Sequence, residues 1–149
     1  MKSFARPTLL CLTLAHATWS HATAPDPALA GCWRAVKIVV QMQDGAKVQD
    51  ASGRCMLRFT EDQFESSCAT TTGQRVTNTY RYQVVRPNFF SASIAGSTTR
   101  TDLTASTREY EYHVDGDRLV TVTHPQGKAP GASTGLARVE SEATRIPCE

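Results

Sequence analysis

The chain has 149 residues, enough for about one domain after allowance for an N-terminal leader. It carries 16 Lys and Arg against 14 Asp and Glu, and two of the basic residues, Lys2 and Arg6, lie in its first segment. The other 14 basic residues balance the 14 acidic ones. This balance argues against nucleic-acid binding and against electrostatic docking to an anionic membrane, because both need a basic excess.

The first segment has the pattern of a signal peptide. After the two basic residues, the uncharged and mostly apolar run 7–19 leads to Ser20-His21-Ala22, which fits the small-x-small pattern of a cleavage site. The run is too short to cross a membrane, which takes about 20 residues. We therefore predict a signal peptide at 1–22 and one exported domain at 23–149, in the periplasm or outside the cell.

The first strand is predicted from Arg34 to Gln43, and turn residues follow at short intervals. Thr, Val and Tyr favour strands, and no long stretch has helical apolar spacing. The predicted turns are Asp44-Gly45, Ser52-Gly53, Thr72-Gly73, Pro87-Asn88, Ala95-Gly96, Asp115-Gly116 and Gly127, and the segment 125–135 reads as a loop. Short strands between regular turns predict an all-β sandwich or barrel.

The segment 55–68 reads as one hairpin in a definite register. With the turn centred on Glu61-Asp62, Phe59 faces Phe64, Arg58 faces Glu65 and Cys55 faces Cys68. Directly opposite residues share a sheet face and interact. An aromatic pair, an ion pair and a cysteine pair thus follow from one register, although Glu-Asp lacks the Gly or Asn that tight hairpins prefer.

Four cysteines remain in the exported domain, and such an even set predicts disulfides. None forms a Cys-x-x-Cys metal or redox pair. The hairpin pairs Cys55 with Cys68 and leaves Cys32 for Cys148. The first and last strands of an up-and-down barrel are neighbours, so the second bridge would lock its closure.

Cys32 has an alternative interpretation. Leu29-Ala30-Gly31-Cys32 spells a bacterial lipoprotein cleavage site, which would anchor the chain to a membrane through an acylated Cys32. The polar and proline-containing segment 20–27 separates this site from the apolar run, and acylation would leave one other cysteine unpaired. The lipid anchor is therefore the second interpretation of the N-terminus.

Gly31-Cys32-Trp33 before an apolar strand, the Phe59/Phe64 hairpin, the later tyrosine-rich strands and a final strand with arginines together resemble the lipocalin-like, or calycin, barrels. The resemblance implies an antiparallel up-and-down barrel of about eight strands. It implies that Trp33 closes one end of the barrel and that Arg138 or Arg145 from the last strand covers it. Thr101-Asp102-Leu103 lacks the aromatic of the family's Thr-Asp-Tyr motif, and the chain has no room for the usual C-terminal helix.

Alternation predicts the inner walls of the barrel. Val36, Ile38, Val40 and Met42 fall on one face of the first strand, and later strands place tyrosines on a common face. A barrel of this size holds either packed side chains or one small ligand. The residues predicted to contact a small hydrophobic or aromatic ligand are Met42, Tyr80, Tyr82, Tyr110 and Tyr112.

The sequence contains no group of residues with the spacing of a catalytic site. Gly131-Ala132-Ser133-Thr134-Gly135 spells a nucleophile elbow but lacks a preceding strand and a downstream His. His113 and His124 have no carboxylate at metal-ligand spacing. We therefore expect a non-enzymatic protein with no catalytic residue, metal or cofactor. The alternative to a ligand binder is a protein-interaction module, such as a secreted inhibitor or an immunity-type partner, that uses a loop or the barrel rim.

Overall fold

The computed structural model describes residues 25–99, 107–124 and 135–148. The predicted signal peptide, the Thr101-Asp102-Leu103 motif and most of the predicted loop 125–135 lie outside the described residues. The described ranges contain no α-helix, and therefore no apolar helix that would cross a membrane. Their strands are β1 (Gly31–Met42), β2 (Lys47–Asp50), β3 (Cys55–Phe59), β4 (Gln63–Ala69), β5 (Arg75–Arg86), β6 (Phe89–Ser97), β7 (Thr107–Asp115), β8 (Arg118–Thr123) and β9 (Leu136–Ile146).

The strands form one closed antiparallel barrel. They pair in the order β2-β1-β3-β4-β5-β6-β7-β8-β9, and β1 also pairs with β9. β2 and β3 pair with the second and first halves of β1, so together they occupy one strand position. The β1–β9 pairing closes eight positions and removes the free edges that an open sheet would leave there. The prediction of an all-β, up-and-down barrel of about eight strands is confirmed.

The β3–β4 hairpin has the predicted register. Phe59 is opposite Phe64, Arg58 is opposite Glu65, and Cys55 is opposite Cys68. The bends fall at 61 and 62, and the Thr60 amide donates to the Gln63 carbonyl at 2.8 Å. The two phenylalanine rings stack with their centroids 5.2 Å apart.

Both disulfides are present in the predicted pairs. Cys55 is bonded to Cys68 across the hairpin, and Cys32 is bonded to Cys148 across a sequence separation of 116 residues. The second bridge joins the start of β1 to the residues that follow β9. Two such bridges indicate an oxidising compartment.

A β-bulge in β1 corrects the predicted inner face. Ala35 is opposite Ala143 of β9, but Lys37 is opposite Glu142, so Val36 is an extra residue on β1. An extra residue reverses the alternation of side chains beyond it. Ile38 therefore faces inward with Ala35, whereas Val36 is 39% exposed. The prediction that Val36 shares the inner face with Ile38 is wrong. β1 also begins at Gly31, three residues earlier than predicted.

Two predicted turns have a different structure. Ala95-Gly96 lies within β6, where Thr79 is opposite Gly96 and Tyr80 is opposite Ile94, so Ala95 is the extra residue of a second bulge. Strand pairing continues through the bulge instead of reversing. Ser52-Gly53 is the interruption between β2 and β3, which both remain on β1, so it is not a hairpin turn.

The largest fully buried side chains gather at one end of the barrel. Leu29, Trp33, Phe90 and Leu119 are each at most 1% exposed, and they come from residues just before β1 or from the first residues of β1, β6 and β8. We call the end defined by these four residues the closed end.

Candidate functional site

A segment outside the strands completes the closed end. We call Pro25–Ala30 the N-terminal plug. Its Leu29 is fully buried, and the Trp33 indole Nε1 donates a hydrogen bond of 2.9 Å to the Leu29 carbonyl. A buried indole N–H needs such an acceptor. The plug thus satisfies the one polar atom of the Trp33 side chain and covers its ring.

Asp26 forms hydrogen bonds both within the plug and with the barrel. Its carbonyl accepts from the Leu29 amide at 3.0 Å, and its carboxylate accepts from the Ala28 amide at 2.9 Å, which together form a tight turn. The other carboxylate oxygen accepts from the Tyr112 hydroxyl at 2.7 Å. A residue 86 positions along the chain therefore ties the plug to β7.

Arg145 covers Trp33 from the last strand. Its guanidinium lies 4.0 Å from the Trp33 ring centroid, and its two Nη atoms donate to the carbonyls of Ala28 and Ala30, each at 2.8 Å. Gly31 has a φ of +120°, and a Cβ there would lie 3.0 Å from an Nη atom of Arg145. A glycine before Cys32 and Trp33 is therefore what allows the arginine to approach.

Arg138 has no part in this contact. It lies opposite Gln41 near the far end of β1, is exposed, and pairs with Glu140 at 2.9 Å. Of the two arginines predicted to cover Trp33, Arg145 takes the position and Arg138 does not. The reason is that inward-facing positions of β9 alternate through Val139, Ser141 and Ala143, which places residue 138 outside.

Aromatic rings from four strands form one wall, which shares Phe90 with the closed end. Phe64 stacks on Tyr80 at 4.4 Å between centroids, and Phe90 stacks on Tyr110 at 4.9 Å. The two stacks meet edge to face, with Phe64 and Phe90 5.8 Å apart. These four rings, from β4, β5, β6 and β7, are the aromatic wall.

The aromatic wall borders a cavity of about 160 Å³ inside the barrel. An engineered apolar cavity of about 150 Å³ binds benzene. The remaining lining is aliphatic on β1, β3 and β9, with Ala35, Ile38, Leu57 and Val139, and includes the Cys55–Cys68 disulfide. The cavity therefore has the volume and the surface for a molecule of about one aromatic ring.

Hydroxyl groups interrupt this apolar lining on the side of β8 and β9. Thr121 and Thr123 of β8 and Ser141 of β9 line the cavity, and Ser66 lines it from β4. Thr123 donates to the Glu109 carbonyl at 2.9 Å. Among the described residues, no side chain or backbone group forms a hydrogen bond with the hydroxyls of Ser66, Thr121 or Ser141. No charged side chain is among the described residues that line the cavity.

The tyrosines near the cavity are held in their neutral form. Burial raises the pKa of Tyr110 above its ordinary value of 10.0. Burial is also the main reason that the pKa of Tyr112 is raised, and its hydrogen bond to Asp26 adds to the effect. Burial and then the nearby carboxylates raise the pKa of Tyr82. Burial therefore moves the titration of these three phenols further above neutral pH.

The five residues predicted to contact a ligand occupy three places. Tyr80 and Tyr110 line the cavity. Tyr82 and Tyr112 belong to the buried core, where Tyr82 donates to the Thr60 carbonyl at 2.8 Å and Tyr112 donates to Asp26. Met42 ends β1 at the opposite end of the barrel and is not among the residues that line the cavity.

The other groove of the described surface lacks this apolar lining. This groove of about 360 Å³ lies along β5 and β6, but its lining is mainly polar, and its Arg81–Asp62 ion pair is about two-thirds exposed on each side. His113 and His124 are both exposed. In the described ranges, no group of three or more His, Cys, Asp or Glu is placed to hold a metal. The Ser133 motif lies outside the described residues.

Sequence reasoning missed two parts of the site. The sequence of the plug resembles a linker, because the barrel residues that hold it, Tyr112 and Arg145, lie far from it along the chain. The second part is Thr121 and Ser141, which are opposite each other on β8 and β9 but 20 residues apart along the chain. Alternation along β8 could have placed Thr121 inside the barrel, since Leu119, Thr121 and Thr123 fall on one face.

Comparisons with known proteins agree with this architecture. No family model matches the chain, and no curated protein matches it significantly. The crystal structure of a lipocalin-like protein from Bacteroides uniformis matches with a TM-score of 0.52 and 14% identity, over 80% of this chain and 99% of that one. An uncharacterized protein from Bacteroides eggerthii matches with a TM-score of 0.50 and 10% identity, over 79% of this chain and 99% of that one. The chain has a lipocalin-like barrel fold.

Proposed function

We propose that this protein is a non-enzymatic, exported binding protein that holds a small apolar or aromatic molecule inside its barrel. The observation that carries the proposal is the cavity of about 160 Å³ against the aromatic wall. Concave, mostly apolar sites with a few polar groups are typical of small-molecule binding. The mouth of a β-barrel is a common place for them. Tyr80 and Tyr110 are the predicted ligand-contacting residues that this proposal retains.

Binding of toluene to the oxidised protein tests the proposal. Amide and side-chain NMR shifts are expected to change at residues that line the cavity and to saturate with toluene. Ser66→Leu is expected to abolish these changes, because the larger side chain fills the space beside Phe64. Thr144→Leu is the matched control, since Thr144 is exposed on the outside of β9. Absence of saturable toluene binding by the folded wild-type protein would reject the cavity as a ligand site.

We also propose that residues 1–22 are removed on export and that the plug stays on the mature chain. The two disulfides support an oxidising destination, in the periplasm or outside the cell. The burial of Leu29 and the bond from Tyr112 to Asp26 support a cut before Pro25. Without the plug, Trp33 would lose its cover and Arg145 would lose two acceptors.

The same contacts weigh against a lipid anchor at Cys32. Lipoprotein processing would cut between Gly31 and Cys32 and would remove the plug. It would also place the lipid on a sulfur that is bonded to Cys148. The intact mass of the exported protein distinguishes these outcomes. A chain that starts at Thr23 and gains four hydrogens on reduction supports the proposal, whereas a diacylglyceryl adduct on a chain starting at Cys32 contradicts it.

A further inference from the structure

Two hydroxyls inside the cavity are placed to receive a polar group of a ligand. Thr121 of β8 is directly opposite Ser141 of β9. Directly opposite residues in an antiparallel pair have Cβ atoms about 4.5–5.5 Å apart. Both side chains line the cavity and are partly exposed. We call Thr121 and Ser141 the hydroxyl pair.

Nothing in the described residues uses this hydroxyl pair. The neighbouring Thr123 hydroxyl donates to the Glu109 carbonyl, and Tyr112, which is opposite Thr121, donates to Asp26. The hydroxyls of Thr121 and Ser141 make no such bonds. Among the described residues no buried side-chain oxygen or nitrogen lacks a hydrogen-bond partner, so these two unbonded hydroxyls are accessible from the cavity. The pair therefore offers a donor and an acceptor to whatever occupies the cavity.

The aromatic wall runs from β7, the neighbour of β8, to β4 on the side of the barrel opposite the hydroxyl pair. Its Phe64 is on β4, and Thr121 is on β8, four strand positions away in a barrel of eight. A single-ring molecule would therefore meet rings on one side and hydroxyls on the other. The cavity volume limits it to about one ring, and the lack of charged side chains among the described lining residues disfavours an ionised group, because a buried unpaired charge is very costly.

We infer that the ligand is a neutral single-ring molecule with one hydrogen-bonding group, of the phenol or benzyl alcohol class, and that the hydroxyl pair receives that group. This inference rests on the proposed function. The ring packs against the aromatic wall, and the polar group lies between Thr121 and Ser141. Either hydroxyl can donate or accept, so the pair can hydrogen-bond the hydroxyl of an alcohol or a phenol.

Dissociation constants of benzyl alcohol, toluene and benzoate, measured by NMR titration, test the inference. In Thr121→Val/Ser141→Ala, the affinity for benzyl alcohol is expected to fall about tenfold, while that for toluene is unchanged or rises, because only hydroxyl partners are removed. Val has nearly the shape of Thr, and retained toluene binding shows that the variant is folded. Thr144→Val on the outer face of β9 is the control and is expected to change neither constant.

The outcomes separate this inference from the proposed function. The inference is wrong, while the cavity remains a ligand site, if the ratio of the dissociation constants of benzyl alcohol and toluene is the same in the wild type and the double variant. It is also wrong if benzoate binds as tightly as benzyl alcohol. If the wild-type protein binds neither toluene nor benzyl alcohol, both are wrong. A ratio that shifts about tenfold, with benzoate excluded, supports both.

Discussion

At the scale of single residues, one arginine combines several contacts of different kinds. Arg145 stacks on the Trp33 ring, donates to the carbonyls of Ala28 and Ala30, and lies 3.5 Å from an oxygen of Asp117. A planar guanidinium suits this combination, because it stacks through its face while donating through its edge. The side chain therefore joins the last strand, the first strand and the N-terminal plug.

Replacing this side chain is expected to destabilise the barrel. Arg145→Ala should lower the free energy of unfolding by about 2 kcal/mol, because it removes a cation–π contact and leaves two carbonyls without donors. Arg145→Lys should recover less than half of the loss, since an ammonium neither stacks flat nor donates as a fork. Urea unfolding of the oxidised protein, followed by circular dichroism, measures these differences.

Arg138→Ala is the matched control for this series. Arg138 is exposed, and its ion-pair partner among the described residues is Glu140 on its own strand. Its removal should change the free energy of unfolding by less than about 0.5 kcal/mol. Equal losses at the two arginines would mean that Arg145 does not hold the closed end.

At the scale of elements, the bulge in β1 decides which apolar residues form the core. Val36 and Ile38 are two positions apart, yet Val36 is exposed and Ile38 lines the cavity. The extra residue increases the bend and twist of β1 at the point where its partner changes from β3 to β2. The one extra residue thus reverses which side chains of the remaining strand face the interior and which face solvent.

The two positions should respond differently to the same change. Val36→Thr is expected to alter the free energy of unfolding by less than about 0.5 kcal/mol, as for most surface substitutions. Ile38→Thr should cost about 1–3 kcal/mol, because it removes an inward methyl group and places a hydroxyl inside. The same urea experiment measures both, and losses of equal size would place both side chains on one face.

The hairpin and the bulge show what local patterns determine. The β3–β4 register was predictable because three kinds of side-chain pair agree on it, each between directly opposite residues. No such pattern marks the bulges at Val36 and Ala95, since a valine or an alanine is acceptable both inside the barrel and on its surface. They arise from how β1 and β6 fit their partner strands, which is a property of the closed sheet.

The candidate site was predictable only in part for a related reason. Tyr80 and Tyr110 follow from alternation within their strands, and Trp33 follows from the Gly-x-Trp resemblance. Alternation does not tell how deep a side chain lies along the barrel axis, so Tyr82 and Tyr112 share a face with them but belong to the closed end. Depth is set by the stagger of all the strands together.

At the scale of the whole molecule, two disulfides that close loops of very different length stabilise the barrel. Their sequence separations are 13 residues for Cys55–Cys68 and 116 for Cys32–Cys148. The entropy that a disulfide removes from the unfolded chain grows with the length of the loop that it closes. The longer bridge therefore restricts the unfolded chain more, in addition to joining β1 to the end of β9.

Removing each bridge separately tests this difference. Cys32→Ala/Cys148→Ala is expected to lower the free energy of unfolding by about 2 kcal/mol more than Cys55→Ala/Cys68→Ala does. Loop entropy gives about 5 kcal/mol for the longer loop and about 3 kcal/mol for the shorter one. Urea unfolding of the two double variants gives the comparison, and each serves as the control for the other. A larger loss from the hairpin pair would show that local contacts outweigh chain entropy here.

The β1–β9 pairing also sets the order in which the chain folds. β1 gains its neighbours β2 and β3 early, because they follow it closely along the chain, but its second edge waits for the final strand. Contacts between distant segments are slow to form, and an unpaired strand edge invites association with other chains. During synthesis, which begins at the N-terminus, β1 and the plug therefore lack part of their contacts until β9 has been made.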